Sequence, residues 1–189
     1  MEINYVDKFP ILISERLSKE SVFISETLKF SIESIKSIFS INQFDLKDKK
    51  FNVLFRNVFG FAPPSIATFN IKDNHLALWA RSNSYFIISD EMKFKDLASA
   101  FENKASFTDQ TGGWVIFNIE GQACRSVFEK LLTVDLDIFD KGKVIRTSIT
   151  SINCFILCKS KFDKYNIVCP ISYYETLKLR LMHLISLLQ

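Results

Sequence analysis

An α+β fold, with helices laid on one face of mainly antiparallel sheets, is predicted by three observations. Phe51, Leu54, Phe55, Val58 and Phe59 stand at i, i+3, i+4, i+7 and i+8, ahead of Gly60 and Pro63-Pro64: a helix with its stop signal. Residues 114–119 alternate as a half-buried strand does, and helical spacing from Ala123 to Leu132 follows at once. Three apolar segments then succeed one another, 143–150, 153–159 and 165–169, with short joints between them.

Taken in order, the first fifty residues are the least patterned. Leu28, Phe30 and Ile32 alternate, and Ile35 to Ile41 reads as a second strand. Val22, Phe23 and the residues around Ser31 also fit an amphipathic helix; strands are favoured. Residues 1–20 are expected to form a poorly anchored arm, and 21–189 a single domain. The helix of residues 45–59 comes next. His75 to Trp79 and Tyr85 to Ile88 read as short strands joined by the turn-prone Arg81-Ser82-Asn83-Ser84. Phe94, Leu97, Ala98 and Phe101 mark a helix ending near Asn103.

The central unit runs from Phe107 to Phe139. Gly112 and Gly113 supply its turn. In the strand that follows, Trp114, Ile116 and Asn118 share one face and Val115, Phe117 and Ile119 the other. Gly121 stands where that strand turns, and Ala123, Val127, Phe128, Leu131 and Leu132 form a helix packed back on it. After the three strands, Pro170 closes the last, Ser172 is expected to cap a final helix to Leu188, and Leu177, Leu181, Leu184 and Leu188 are its apolar side. A strand-helix-strand-strand-helix order is that of the ferredoxin-like split βαβ motif.

Composition narrows the function. The chain of 189 residues is 48% hydrophobic and contains 19 phenylalanines. That is ample for a packed core. Burying one phenylalanine contributes about 1.5–3 kcal/mol, and so many suggest that some cover a partner surface. The net charge is +3 and the basic residues are dispersed. Lys47-Asp48-Lys49-Lys50 reads as a solvated helix start, so no nucleic-acid footprint is expected. No apolar run reaches the length of a membrane span, and the N-terminus lacks the pattern of a signal peptide. A cytoplasmic protein is the expectation. Cys124, Cys154, Cys158 and Cys169 read as core thiols rather than a disulfide frame.

A search for reactive groups finds no assembled set. His75 begins an apolar strand and His183 lies in the final helix, and each reads as a surface or satisfied core histidine. Asp135 and Asp137 form the densest acidic pair; just past a helix end, they read as side-chain turns with nearby backbone amides. Cys154 and Cys158 share one side of a strand without the second pair or histidines that zinc needs. Asp109-Gln110-Thr111-Gly112-Gly113 lacks the Lys-Ser/Thr of a phosphate loop and enters a strand, not a helix. Catalytic residues and metal ligands are therefore expected to be none. Trp79, Trp114, Phe117, Phe86 and Tyr85 read first as core, and second as the lining of a flat aromatic pocket such as a pterin site.

One family shows the same motifs in the same order. Phe59-Gly60-Phe61-Ala62-Pro63-Pro64 and Leu78-Trp79 are followed by Thr108-Asp109 before a glycine-bearing turn. Gly121 with Ala123, Leu131-Leu132, Asp135-Leu136, Lys141-Gly142, Thr147 and Pro170 complete the set. In these the chain resembles the gamma subunit of heterotetrameric sarcosine oxidase, itself similar to the folate-binding glycine-cleavage T-protein superfamily. The resemblance spans roughly Phe51 to His183. It departs at Gln110-Thr111, where a serine-containing turn is commoner, and at Cys124, and the N-terminal third matches poorly.

The resemblance implies two interlocked ferredoxin-like modules, approximately 21–105 and 106–189. It implies a non-catalytic subunit that packs on the folate-binding part of the alpha subunit, with beta and delta subunits as further partners. The complex would oxidatively demethylate sarcosine to glycine. Its FAD, FMN, NAD and tetrahydrofolate would belong to other subunits, with none bound by this chain alone. The alternative it leaves open is a stand-alone folate-binding one-carbon transfer protein.

Overall fold

The computed structural model describes residues 21–33, 37–90 and 94–188. The arm expected at 1–20 and the strand start expected at Ile35 lie outside them. In chain order the elements are β1 (Ser21–Ile24), β2 (Lys29–Ile32), β3 (Ser37–Gln43), α1 (Lys49–Phe59), β4 (Phe69–Lys72), β5 (His75–Arg81), β6 (Ser84–Ser89), α2 (Phe94–Ala100), β7 (Ala105–Asp109), β8 (Trp114–Glu120), α3 (Cys124–Leu131), β9 (Val144–Ile149), β10 (Ile152–Ser160), β11 (Lys164–Pro170) and α4 (Tyr174–Ser186).

The strands form two sheets in which every described pairing is antiparallel. One has the order β1-β2-β8-β11-β10-β9 and the other β4-β5-β6-β3-β7. The second sheet holds a complete split βαβ arrangement. Its strand β3 leads through α1 to the β5–β6 hairpin and through α2 to β7, with β7 and β6 flanking β3. The first sheet repeats that plan from β8, through α3 to β10–β11 and on to α4. Its outer neighbour on the far side of β8 is β2, from the other end of the chain. Residues 21–32 thus complete the sheet built by 114–170, while 37–109 form the other. The mixed α+β fold with ferredoxin-like modules, expected from the sequence, is what the structure shows.

Three apolar layers hold this together. Phe30, Val115, Phe117, Ile119, Ile156 and Ile167 of the first sheet pack against Val127 and Phe128 of α3 and Leu177, Leu181 and Ile185 of α4. Phe39, Ile41, Ala77 and Ile87 of the second sheet pack against Phe51, Phe55 and Phe59 of α1 and Leu97 of α2. Between the sheets lie Ile38, Leu78 and Ile88 on one side and Ile116, Phe155, Leu157 and Val168 on the other. The central strands therefore send alternate residues to a helix layer and to the opposite sheet, which is why β8, β10 and β11 read as nearly continuous apolar runs. At one side the edges join, where Phe69 and Val144 donate backbone N–H bonds to Gly142 and Ala67 (both 2.9 Å).

Local chemistry explains the helix ends. Asp48 caps α1 by accepting from the Lys50 amide (2.8 Å), and Gly60 closes it in the left-handed region with φ 77°. The cap expected at Ser172 is not made. A 3-10 turn over Ile171–Tyr173 precedes α4, and no side chain caps that helix. Ser172 sits inside the turn, too early to reach the amides of the first helical turn. Strands β4 and β7 were not foreseen. Both are edge strands, of four and five residues, and the alternation of Phe69 to Lys72 and of Ala105 to Asp109 is too short a run to stand out.

Candidate functional site

The residues singled out in the sequence do not converge. His75 lies on the helix face of the second sheet, its Nδ1 2.9 Å from Ser89 Oγ and its ring edge-on to Phe59. His183 is exposed on α4 in the opposite outer layer. Asp135 accepts from the Asp137 amide (2.8 Å), and Asp137 pairs with Arg125 (3.2 Å), which also binds Glu129 (2.7 Å). The acidic pair is thus a side-chain turn tied into a surface ion network. Among the described residues no group of three His, Cys, Asp or Glu side chains is placed to hold a metal ion.

All four cysteines are free and buried, in the layer between the first sheet and its helices. Burial pushes the Cys124 thiol up to about 12 and raises that of Cys158. Cys169 is raised by its bond with the Cys154 thiol and then by burial. Thiolate chemistry is suppressed at these three sites. The Asp109–Gly113 segment serves the backbone: Thr111 receives the Ile38 amide on its Oγ1 (3.0 Å), and the Thr111 amide goes to Asp109 (2.8 Å).

The five aromatics separate. Phe117 belongs to the helix layer of the first sheet and Tyr85 to that of the second, and Trp79 borders two layers. Trp114 and Phe86 do meet, edge-to-face at 5.1 Å, and Phe155 joins them at 5.9 and 5.4 Å. These three close one end of the layer between the sheets, where a cleft of about 310 Å³ opens.

That cleft is the feature the sequence reading missed. Its aromatic residues are Trp114, Phe86 and Phe155. Trp114 and Phe155 come from the first sheet; on the second sheet's wall Phe86 stands beside Ser40, Asn42, Ser84, Thr108 and Gln110. Cross-strand register puts them there: Ser40 is paired with Phe86 and Thr108, and Asn42 with Ser84. They continue the inward face begun by the core residue Ile38. Trp114 Nε1 donates to Gln110 Oε1 (3.4 Å), joining the two walls. Arg81 and Arg146 stand at the mouth, and the Arg146 guanidinium lies 5.6 Å from the Phe155 ring centroid. Neither arginine makes an ion pair among the described residues.

At the other end, a smaller cavity of about 130 Å³ has a polar lining of Glu33, Asp73, Asn74, His75, Asp90, Lys159 and Asn166 beside apolar residues of both sheets. Ser31, Asn118 and Asn166 form a buried polar row across β2, β8 and β11. Asn166 donates to Glu33 (2.7 Å), but its Oδ1 and that of Asn118 have no hydrogen-bond partner among the described residues. One turn outward, Glu120 bridges Lys164 (2.6 Å) and Lys29 (3.3 Å). The Lys164 bond, ahead of that from Lys29, holds its carboxyl below the ordinary 4.5. Single asparagines inside apolar strands were the sequence signal for this row.

Much apolar surface is also exposed. On α4, Leu177, Leu181 and Ile185 are buried while Leu179 is 63% and Leu187 68% exposed. Phe44, Leu46 and Val53 are exposed around the start of α1. No helix among the described residues is long and apolar enough to cross a membrane.

Searches by sequence against known families and curated proteins give no match. Among solved structures, the fold is similar to that of a chain in the heterotetrameric sarcosine oxidase from Corynebacterium sp. U-96 in complex with pyrrole 2-carboxylate. The TM-score is 0.76 at 15% identity, over 88% of this chain and 87% of that one. At that identity the likeness is one of fold.

Proposed function

We propose that the chain is a non-catalytic subunit of a heterotetrameric complex that oxidatively demethylates sarcosine to glycine. Its place would be that of the gamma subunit, packed on the folate-binding part of the alpha subunit beside beta and delta partners. The observation that carries this reading is the extent of the likeness in fold, nearly the whole of both chains. Equal coverage on both sides means that the two chains have similar lengths, so the match is to a small chain of the assembly and not to one region of a large one. The motif order from Phe59 to Pro170 supports the same place.

Surface chemistry fits a partner-bound chain. α4 is apolar on two faces, one against the first sheet and one carrying Leu179 and Met182 outward. Large apolar side chains exposed together on an outer helix mark a surface for a partner. Covering each such side chain contributes about 1.5–3 kcal/mol. The chain's work is then to hold neighbours in register, while the flavins, NAD and tetrahydrofolate are bound by other subunits.

The test is co-expression with the neighbouring open reading frames, followed by purification through a tag on this chain. A yellow complex that oxidises sarcosine is the expected product, and Leu179→Glu with Met182→Glu reduces its recovery. A colourless chain that elutes alone refutes the reading.

A further inference from the structure

We propose that the cleft between Trp114 and Arg146 is a binding site for a small aromatic carboxylate. Three properties of the cleft select that chemistry. Its wall of Trp114, Phe86 and Phe155 presents ring faces and edges, and Trp114 and Phe86 are only half-buried, so ring surface is open to a flat ligand. Beside Phe86 on the second sheet, Ser40, Asn42, Ser84 and Thr108 offer hydroxyls and an amide to the edge of such a ligand. Its mouth holds two guanidinium groups, Arg81 and Arg146, with no carboxylate partner among the described residues. A guanidinium fork matches a carboxylate in two parallel hydrogen bonds.

Size and position agree. A volume of about 310 Å³ is at the small end of ligand sites, suited to one or two fused rings with an acid group. Phe155 is 3% exposed, so the ring surface open to a ligand is that of the half-buried Trp114 and Phe86. The anion then stays at the mouth, where Arg146 is already laid over Phe155. This arrangement needs no reaction and no second chain. It does not depend on the subunit reading: an empty cleft leaves that reading standing, and a failed co-expression leaves the cleft.

The experiment is a titration of the full chain followed through its indole N–H signals by nuclear magnetic resonance. The chain has two tryptophans, and a Trp79→Phe variant assigns the Trp114 signal. 2-Naphthoate is the probe, with 2-naphthamide and inorganic phosphate as controls. Saturable movement of the Trp114 signal is expected, with a dissociation constant of about 1 mM or below. Arg81→Met and Arg146→Met should each weaken it about tenfold, while the rest of the spectrum shows the fold intact. The neutral amide lacks the anion and phosphate lacks the ring, so both should bind at least about tenfold more weakly. An unmoved Trp114 signal overturns the proposal. So does naphthamide or phosphate binding as tightly as naphthoate, or naphthoate binding that ignores both arginine changes.

Discussion

Replacing Gly121 with alanine should disrupt the junction on which the first sheet is assembled. Gly121 joins β8 to α3 with φ 124°, in a region that L side chains rarely enter. Its missing Cβ faces the β1–β2 turn: an added methyl would overlap the Thr27 carbonyl oxygen and sit 3.0 Å from Leu28 Cα. Backbone atoms, not the end of a flexible side chain, would have to move. That movement strains the Ala123 N–H bond to Thr27 (3.2 Å) and the Gly121 N–H bond to Asp163 (2.8 Å). Backbone strain costs about 1–3 kcal/mol, overpacking about 1–3 more, and each weakened hydrogen bond about 1. A total loss of about 4–8 kcal/mol follows, and at this chain length each kcal/mol lowers Tm by about 2–4 °C. Gly112→Ala is the control, because Gly112 also has positive φ (80°) but nothing within 4 Å of its added Cβ. It should lose only about 1–2 kcal/mol of left-handed strain. Both variants are compared by thermal and urea denaturation. A Gly121→Ala protein that melts no lower than Gly112→Ala would refute the close approach.

Further outcomes follow from the same packing and charges. Phe55 is fully buried and lies 4.6 Å from Phe59 and 5.7 Å from both Phe51 and Tyr85, so Phe55→Ala should cost about 3–5 kcal/mol in a urea titration and Phe55→Leu much less. Glu120 has a depressed pKa, so its contribution is present above the unfolded value near 4.5 and is lost as pH falls through the lower folded value. Wild type should then exceed Glu120→Gln by up to about 1 kcal/mol at pH 7 and match it in strongly acid solution; an equal gap at both refutes the pairing. The four buried thiols should resist a maleimide in the native protein and all react in urea, as mass spectrometry would show.

Several elements were legible because a short-range pattern sufficed. The stripe Phe51, Phe55 and Phe59, the cap at Gly60 and the alternation of Val115, Phe117 and Ile119 each follow from periods of 3.6 and 2. Edge strands β4 and β7 were not, because an alternation over four or five residues is too short to stand out. The cap at Ser172 was misplaced, since a 3-10 turn and a helical first turn have the same local chemistry. The aromatic set named from the sequence divided among layers: Trp114 and Phe86 reached the cleft, Phe117 and Tyr85 the helix layers, and Phe155, Arg81 and Arg146 went unnoticed.

By itself the sequence determined the helices, the faces of the central strands and the burial of the cysteines, because all of these are set by neighbours a few residues apart. Only the tertiary structure decided that β2 borders β8 across more than eighty residues of chain, that two sheets close on one apolar layer, and that Arg81 and Arg146 both line the cleft at its end. Those juxtapositions come from strand pairing and sheet packing, whose partners lie at no fixed spacing along the chain.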